Sequence, residues 1–218
     1  YESSLGLVGS EMCIRDRLTT YKMNPITLQD LMTLEGYEKA RHSFRQAVMA
    51  RKKNRLAPIG PDVVLSFEDR TTILYQIQEM LRVERIFIRA GIQAELDAYN
   101  PLIPDGSNWK ATMMIQIPDV ATRRQALTRL VGIESLCWVR VEDHDRVYAI
   151  ADEDMERTTE DKTSAVHFLR FELSHVARDG VQGGGRITMG IDHPSYRHSL
   201  DPVPVPLSDS LRNDLVES

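Results

Sequence analysis

Cysteine is scarce in this chain: two occur in 218 residues, Cys13 and Cys137. Two thiols build neither a disulfide framework nor a four-thiolate zinc site, so nothing points to a stapled secreted fold. Long apolar runs are missing as well. No stretch approaches the roughly 20 residues that a membrane span requires. Positive charge is not in excess, with 27 Lys and Arg against 32 Asp and Glu and a net charge of -5. That balance argues against a protein that grips a phosphate backbone. Neither nucleic acid nor a membrane is therefore expected as a partner. The familiar chemical signatures G-x-G-x-x-G, the Walker loop, H-E-x-x-H, C-x-x-C and G-x-S-x-G are also absent. What is present is a balanced composition, 42% apolar and 27% charged. It suits a globular α+β protein with a cytoplasmic location.

The first seventeen residues show neither helical nor strand periodicity and no signal-peptide layout. They read as a stretch foreign to the fold, similar to translated sequencing-adapter read-through, with Met23 as the native start. On this reading residues 1–22 are a non-native or disordered extension, 23–199 form one domain, and 200–218 are a Pro-rich, extended tail. Cys137 is then the relevant thiol. Its place in the apolar run Leu136-Cys-Trp-Val-Arg-Val141 predicts a buried structural cysteine rather than a nucleophile.

Within the domain, Thr27 and Asp30 form a helix-start signal. Helices are expected over 35–51, 70–90, 92–99 and 119–131, with Gly91 as the C-cap of the second. Pro58 and Pro61 mark a loop. Strands are expected over 63–67, 110–117, 136–142, 146–151, 165–173 and 186–193. The basic cluster Arg51, Lys52, Lys53 and Arg55 reads as charge complementing a helix C-terminus. This order predicts an α+β fold with a mostly antiparallel sheet and helices packed on one face.

Candidate site residues come from polar side chains on apolar faces. Ile73, Leu74, Ile77, Met80, Leu81 and Ile88 share one stripe of the 70–90 helix, and Glu84 falls inside it. His167 shares a strand face with Leu169, Phe171 and Leu173, while Arg170 and Glu172 point the other way. His193 shares a face with Ile187, Met189 and Ile191. If those last two strands form a hairpin, His167 stands opposite His193. Facing the helix, the histidines would join Glu84 in a two-His, one-carboxylate set suited to Fe, Mn or Zn. The plainer alternative pairs Glu84 with an Arg or Tyr and gives each histidine its own hydrogen bonds.

Four segments carry a family resemblance. They are Tyr75-Gln-Ile-Gln-Glu-Met-Leu-Arg-Val-Glu-Arg-Ile-Phe87, Glu95-Leu-Asp-Ala-Tyr-Asn-Pro-Leu-Ile-Pro-Asp-Gly-Ser107, Lys162-Thr-Ser-Ala-Val-His-Phe-Leu-Arg-Phe-Glu172 and Gly190-Ile-Asp-His-Pro194. Together they resemble the bacterial family known as domain of unknown function 3501, over roughly residues 26–198. The resemblance implies genomic neighbours of rubrerythrin-like and iron–sulfur oxidoreductase-like type, and through them a redox or oxidative-stress setting. It assigns no catalytic residue. Three functions follow as expectations: a metal-binding redox accessory protein acting with such partners, a non-catalytic interaction module, or a small-ligand binding protein.

Overall fold

The computed structural model describes residues 23–153, 155, 157–159 and 161–216. The foreign-stretch reading of residues 1–17, and Cys13 with it, lies outside the described residues. The α+β class holds. Helix α1 spans Leu34–Lys53, capped by Thr33, whose hydroxyl accepts from Gly36 N at 3.1 Å. Strands β1 (Leu56–Ile59) and β2 (Val63–Phe67) follow as a hairpin. Pro58 sits in β1, where a loop was expected. A proline is tolerated there because β1 is the edge of its sheet.

Helix α2 covers Arg70–Val83, with Asp69 accepting from Thr71 N and Thr72 N at 2.9 Å each. It ends well before residue 90. Arg85 adopts a left-handed conformation (φ 54°), and Ile86 N bonds Leu81 O at 3.0 Å, closing a Schellman-type end. Gly91 accordingly lies in the first turn of α3 (Arg89–Tyr99) instead of capping α2. Strand β3 (Asn108–Ile115), α4 (Val120–Arg129) and β4 (Cys137–Val141) come next. The single strand expected over 146–151 is two short ones, β5 (Val147–Tyr148) and β6 (Ile150–Ala151). They then pair into different sheets. After β7 (Val166–Glu172) come α5 (His175–Gln182), β8 (Ile187–His193), β9 (Tyr196–Leu200) and α6 (Val205–Arg212).

The strands form two antiparallel sheets, ordered β1-β2-β3-β7-β6 and β5-β4-β8-β9. One apolar core joins them, including Leu65, Phe67, Trp109 and Met113 from the first sheet and Val139, Met189 and Ile191 from the second. Tyr196 ties the sheets at one end. Its hydroxyl donates to Ile59 O at 2.7 Å and accepts from Val63 N at 3.1 Å. A second cluster, built on Ile26, Ile73, Ile77, Leu81 and Leu96, holds α2 and α3 together with the chain before α1.

The C-terminal stretch corrects the expected loose tail. Leu207, Leu211 and Leu215 of and beyond α6 are buried in the main core. Arg55, fully buried, anchors that segment: it donates to Ser210 Oγ at 2.8 Å and Asp214 Oδ2 at 2.5 Å, and to Phe67 O at 2.9 Å. Burial pushes Asp214 up to about 6, with Arg55 opposing. Proline density signalled extension here, but Pro204 and Pro206 sit at the helix start, where a missing N–H costs nothing. Arg51, from the same basic cluster, bonds Asp69. Among the described residues no helix is long and apolar enough to cross a membrane.

Candidate ligand cleft

Strand alternation gives the five-stranded sheet two different faces. Odd-numbered residues of β2, β3 and β7 enter the main core. Even-numbered ones form a second face whose rungs follow from the register. Val64, Met114 and Val166 make one rung, and Ser66, Thr112 and Phe168 the next. In the third, Lys110 stands directly opposite Arg170, and in the fourth Asn108 opposes Glu172. The face thus grades from apolar to ionic across four rungs.

The helical layer lies over this face without filling the space. A cavity of about 520 Å³ is lined by Met80, Tyr99, Leu102 and Phe168, by the cations Lys110 and Arg170, and by the carboxylates Glu95, Asp97 and Glu153. A neighbouring one of about 300 Å³ includes Ser66, Glu68, Gln76 and Thr112 in its wall. Both touch Tyr99, Leu102 and Phe168, so the two abut across a shared apolar wall. These volumes suit a small organic molecule.

Ionic groups ring the larger cavity. Lys110 is half-buried and donates to Pro101 O. Burial lowers its pKa, with Asp105 opposing and Arg170 reinforcing. Arg170 presents its fork to Glu153, donating to both carboxylate oxygens at 2.8 Å. It also donates to Glu172 Oε2 at 2.5 Å. The Arg170 bond holds the Glu153 carboxyl below its ordinary value, against burial. Farther along, the buried Glu68 accepts from Thr72 Oγ1 at 2.6 Å and Thr112 Oγ1 at 3.1 Å. The cleft therefore has an ionic end, where Lys110 and Arg170 stand among the carboxylates Glu95, Asp97 and Glu153, an aromatic and aliphatic middle, and a buried carboxylate, Glu68, at the other end.

The residues chosen for a metal set are not brought together. Glu84 caps the C-terminus of α2 and is exposed, because the helix stops one residue before it. His167 and His193 are both buried on apolar faces, as periodicity indicated. They belong to different sheets, however: α5 intervenes, so β7 and β8 form no hairpin. His167 stands opposite Met113 and His193 opposite Tyr196. His167 Nδ1 lies 2.6 Å from Asp152 Oδ2, and its Nε2 lies 2.8 Å from Thr163 Oγ1. His193 Nε2 lies 3.1 Å from Val131 O, and its Nδ1 accepts from Ser195 N at 3.1 Å. Each histidine thus has its own hydrogen bonds. Among the described residues no group of three or more His, Cys, Asp or Glu side chains is placed to hold a metal.

A family model described as "Protein of unknown function (DUF3501)" matches residues 25–215. The chain belongs to that family. A solved neighbour in shape and sequence is a crystal structure from Burkholderia pseudomallei K96243, described as a novel protein of unknown function. It is 50% identical, with a TM-score of 0.85, and the match covers 88% of this chain and 100% of that one. Among curated proteins none matches. The DUF3501 match extends through α6, in keeping with the packed C-terminus.

Lys110 escaped the sequence reading, and Arg170 was placed only on the face away from the core. A face of alternating charges looks solvated. The available signal was Phe168 beside Arg170, and Met114 beside Thr112: large apolar side chains on the supposedly outward face mark it as covered.

Proposed function

We propose that this protein binds a small organic acid in the helix–sheet cleft, with the acid group at Lys110 and Arg170 and an apolar body against Tyr99, Leu102 and Phe168. The observation that carries the reading is the rung on which Lys110 faces Arg170. Like charges directly opposite on a strand pair are destabilising. They are the arrangement a carboxylate needs, a guanidinium fork beside an ammonium. Glu153 supports the reading further, since its carboxylate already takes both prongs of Arg170. A ligand acid would replace that internal one.

Titration of the full chain with 3-phenylpropanoate and hexanoate, followed by backbone amide NMR, tests this. Saturable shifts gathered on Tyr99, Leu102, Lys110, Phe168 and Arg170 are expected. No saturable shift, or shifts gathered on the second sheet, would count against the cleft.

A further inference from the structure

The outer face of the four-stranded sheet carries an arrangement unrelated to the cleft. Trp138 on β4 stands opposite Tyr148 on β5 and Gly190 on β8. Its indole lies over the glycine: a Cβ at position 190 would come within 2.5 Å of a ring atom. Arg146 covers the ring, its guanidinium carbon 4.1 Å from the ring centroid. Trp138 is 4% exposed, yet its Nε1 has no hydrogen-bond partner. The other tryptophan, Trp109, is fully buried and donates to Leu211 O at 3.0 Å. An orphaned donor is the exception among buried indoles.

Trp138 lines a cavity of about 550 Å³ together with Arg140, Arg146, Arg197, Ser199 and Asp201. The carboxylates nearby are already engaged. Asp192 takes Arg146 and the Tyr148 hydroxyl, and Asp201 takes Arg186 at 2.8 Å. Arg140 makes a long bond to Thr188 Oγ1 at 3.4 Å. Arg140 and Arg197 thus have no acidic partner among the described residues. On a chain of net charge -5, two guanidinium groups without a carboxylate partner, beside an indole N–H without a hydrogen bond, form a local excess of donors.

We propose that this cavity binds a phosphate group, free or as a phosphomonoester, held by Arg140 and Arg197 with Trp138 at its wall. Guanidinium forks match the geometry of phosphate oxygens, and a dianion answers two cations better than a single carboxylate does. Ser199 adds a hydroxyl to the same wall.

Tryptophan fluorescence of the full chain reads the site directly, because Trp109 lies in the core. Inorganic phosphate and ribose 5-phosphate are titrated separately, with calorimetry as the second measurement. A saturable change is expected, weakened at least tenfold by Arg140→Gln together with Arg197→Gln. Ribose 5-phosphate binding tenfold tighter than phosphate would identify an ester as the ligand, and equal binding the free ion. No saturable response to either, or one that persists in the double variant, would overturn the proposal.

Discussion

Lys110 on β3 and Arg170 on β7 occupy directly opposite positions of one antiparallel rung, two cations side by side on a half-buried sheet face. Asp105, Glu153 and Glu172 offset their repulsion. The rung places two donors at the ionic end of the cleft. Lys110→Met should leave the fold as stable as the parent, or more stable by up to about 1 kcal/mol, because burial penalises the ammonium, with Arg170 adding to that and Asp105 opposing it. Acid binding in the cleft should weaken in the same variant. Urea denaturation and calorimetry on the same sample check both halves.

Glu79 joins α1 to α2. It accepts from Arg41 Nε at 2.7 Å and Nη2 at 2.9 Å, and from the Tyr37 hydroxyl at 2.6 Å. The Arg41 bond lowers its pKa from 4.5 to about 2, against burial and with help from Tyr37. A carboxyl depressed in the folded state stabilises above its unfolded pKa and loses that contribution as pH falls through the folded value. Glu79→Gln should cost on the order of 1–2 kcal/mol at neutral pH. The gap from wild type should close between about pH 4.5 and 2. Denaturation midpoints across that range are the measurement.

Cys137 is fully buried, and burial pushes its thiol up to about 12. A thiol so placed does not form thiolate at neutral pH. Labelling by a disulfide reagent should proceed only through unfolding, its rate rising with denaturant. Rapid labelling in buffer would contradict the packing of β4.

Arg55 carries the attachment of α6. Arg55→Leu would leave Asp214 buried without its cation, and the expected loss is about 3–5 kcal/mol. Proteolysis should then cut first around residues 200–204. An intact C-terminus with unchanged stability would show that the ion pair is dispensable.

Local signals were legible wherever one face of an element met one core. The start of α2 near Arg70, the apolar alternation of β7 and β8, and the burial of Cys137 all follow from short-range pattern. The failures share a physical cause: long-range competition. Helix α5 is eight residues with Gly180 inside it, so its pattern was too short to separate β7 from β8. The break at Arg85 depends on a left-handed residue that is not glycine, which the sequence does not advertise. With those two events unseen, Glu84 looked interior and the histidines looked paired. The division of residues 147–151 between sheets likewise needs the partners on either side, since Ala149 N already bonds Cys137 O at 2.8 Å before Ile150 pairs with Arg170.

The most direct test of the cleft is calorimetric titration of 3-phenylpropanoate into wild type, Arg170→Gln and Glu153→Gln. Removing the guanidinium deletes a charge-assisted fork, for which a loss of at least about tenfold is expected. Neutralising Glu153 frees that fork, so binding should tighten several-fold. Equal affinity in wild type and Arg170→Gln, or no measurable heat in either wild type or Glu153→Gln, would contradict the account.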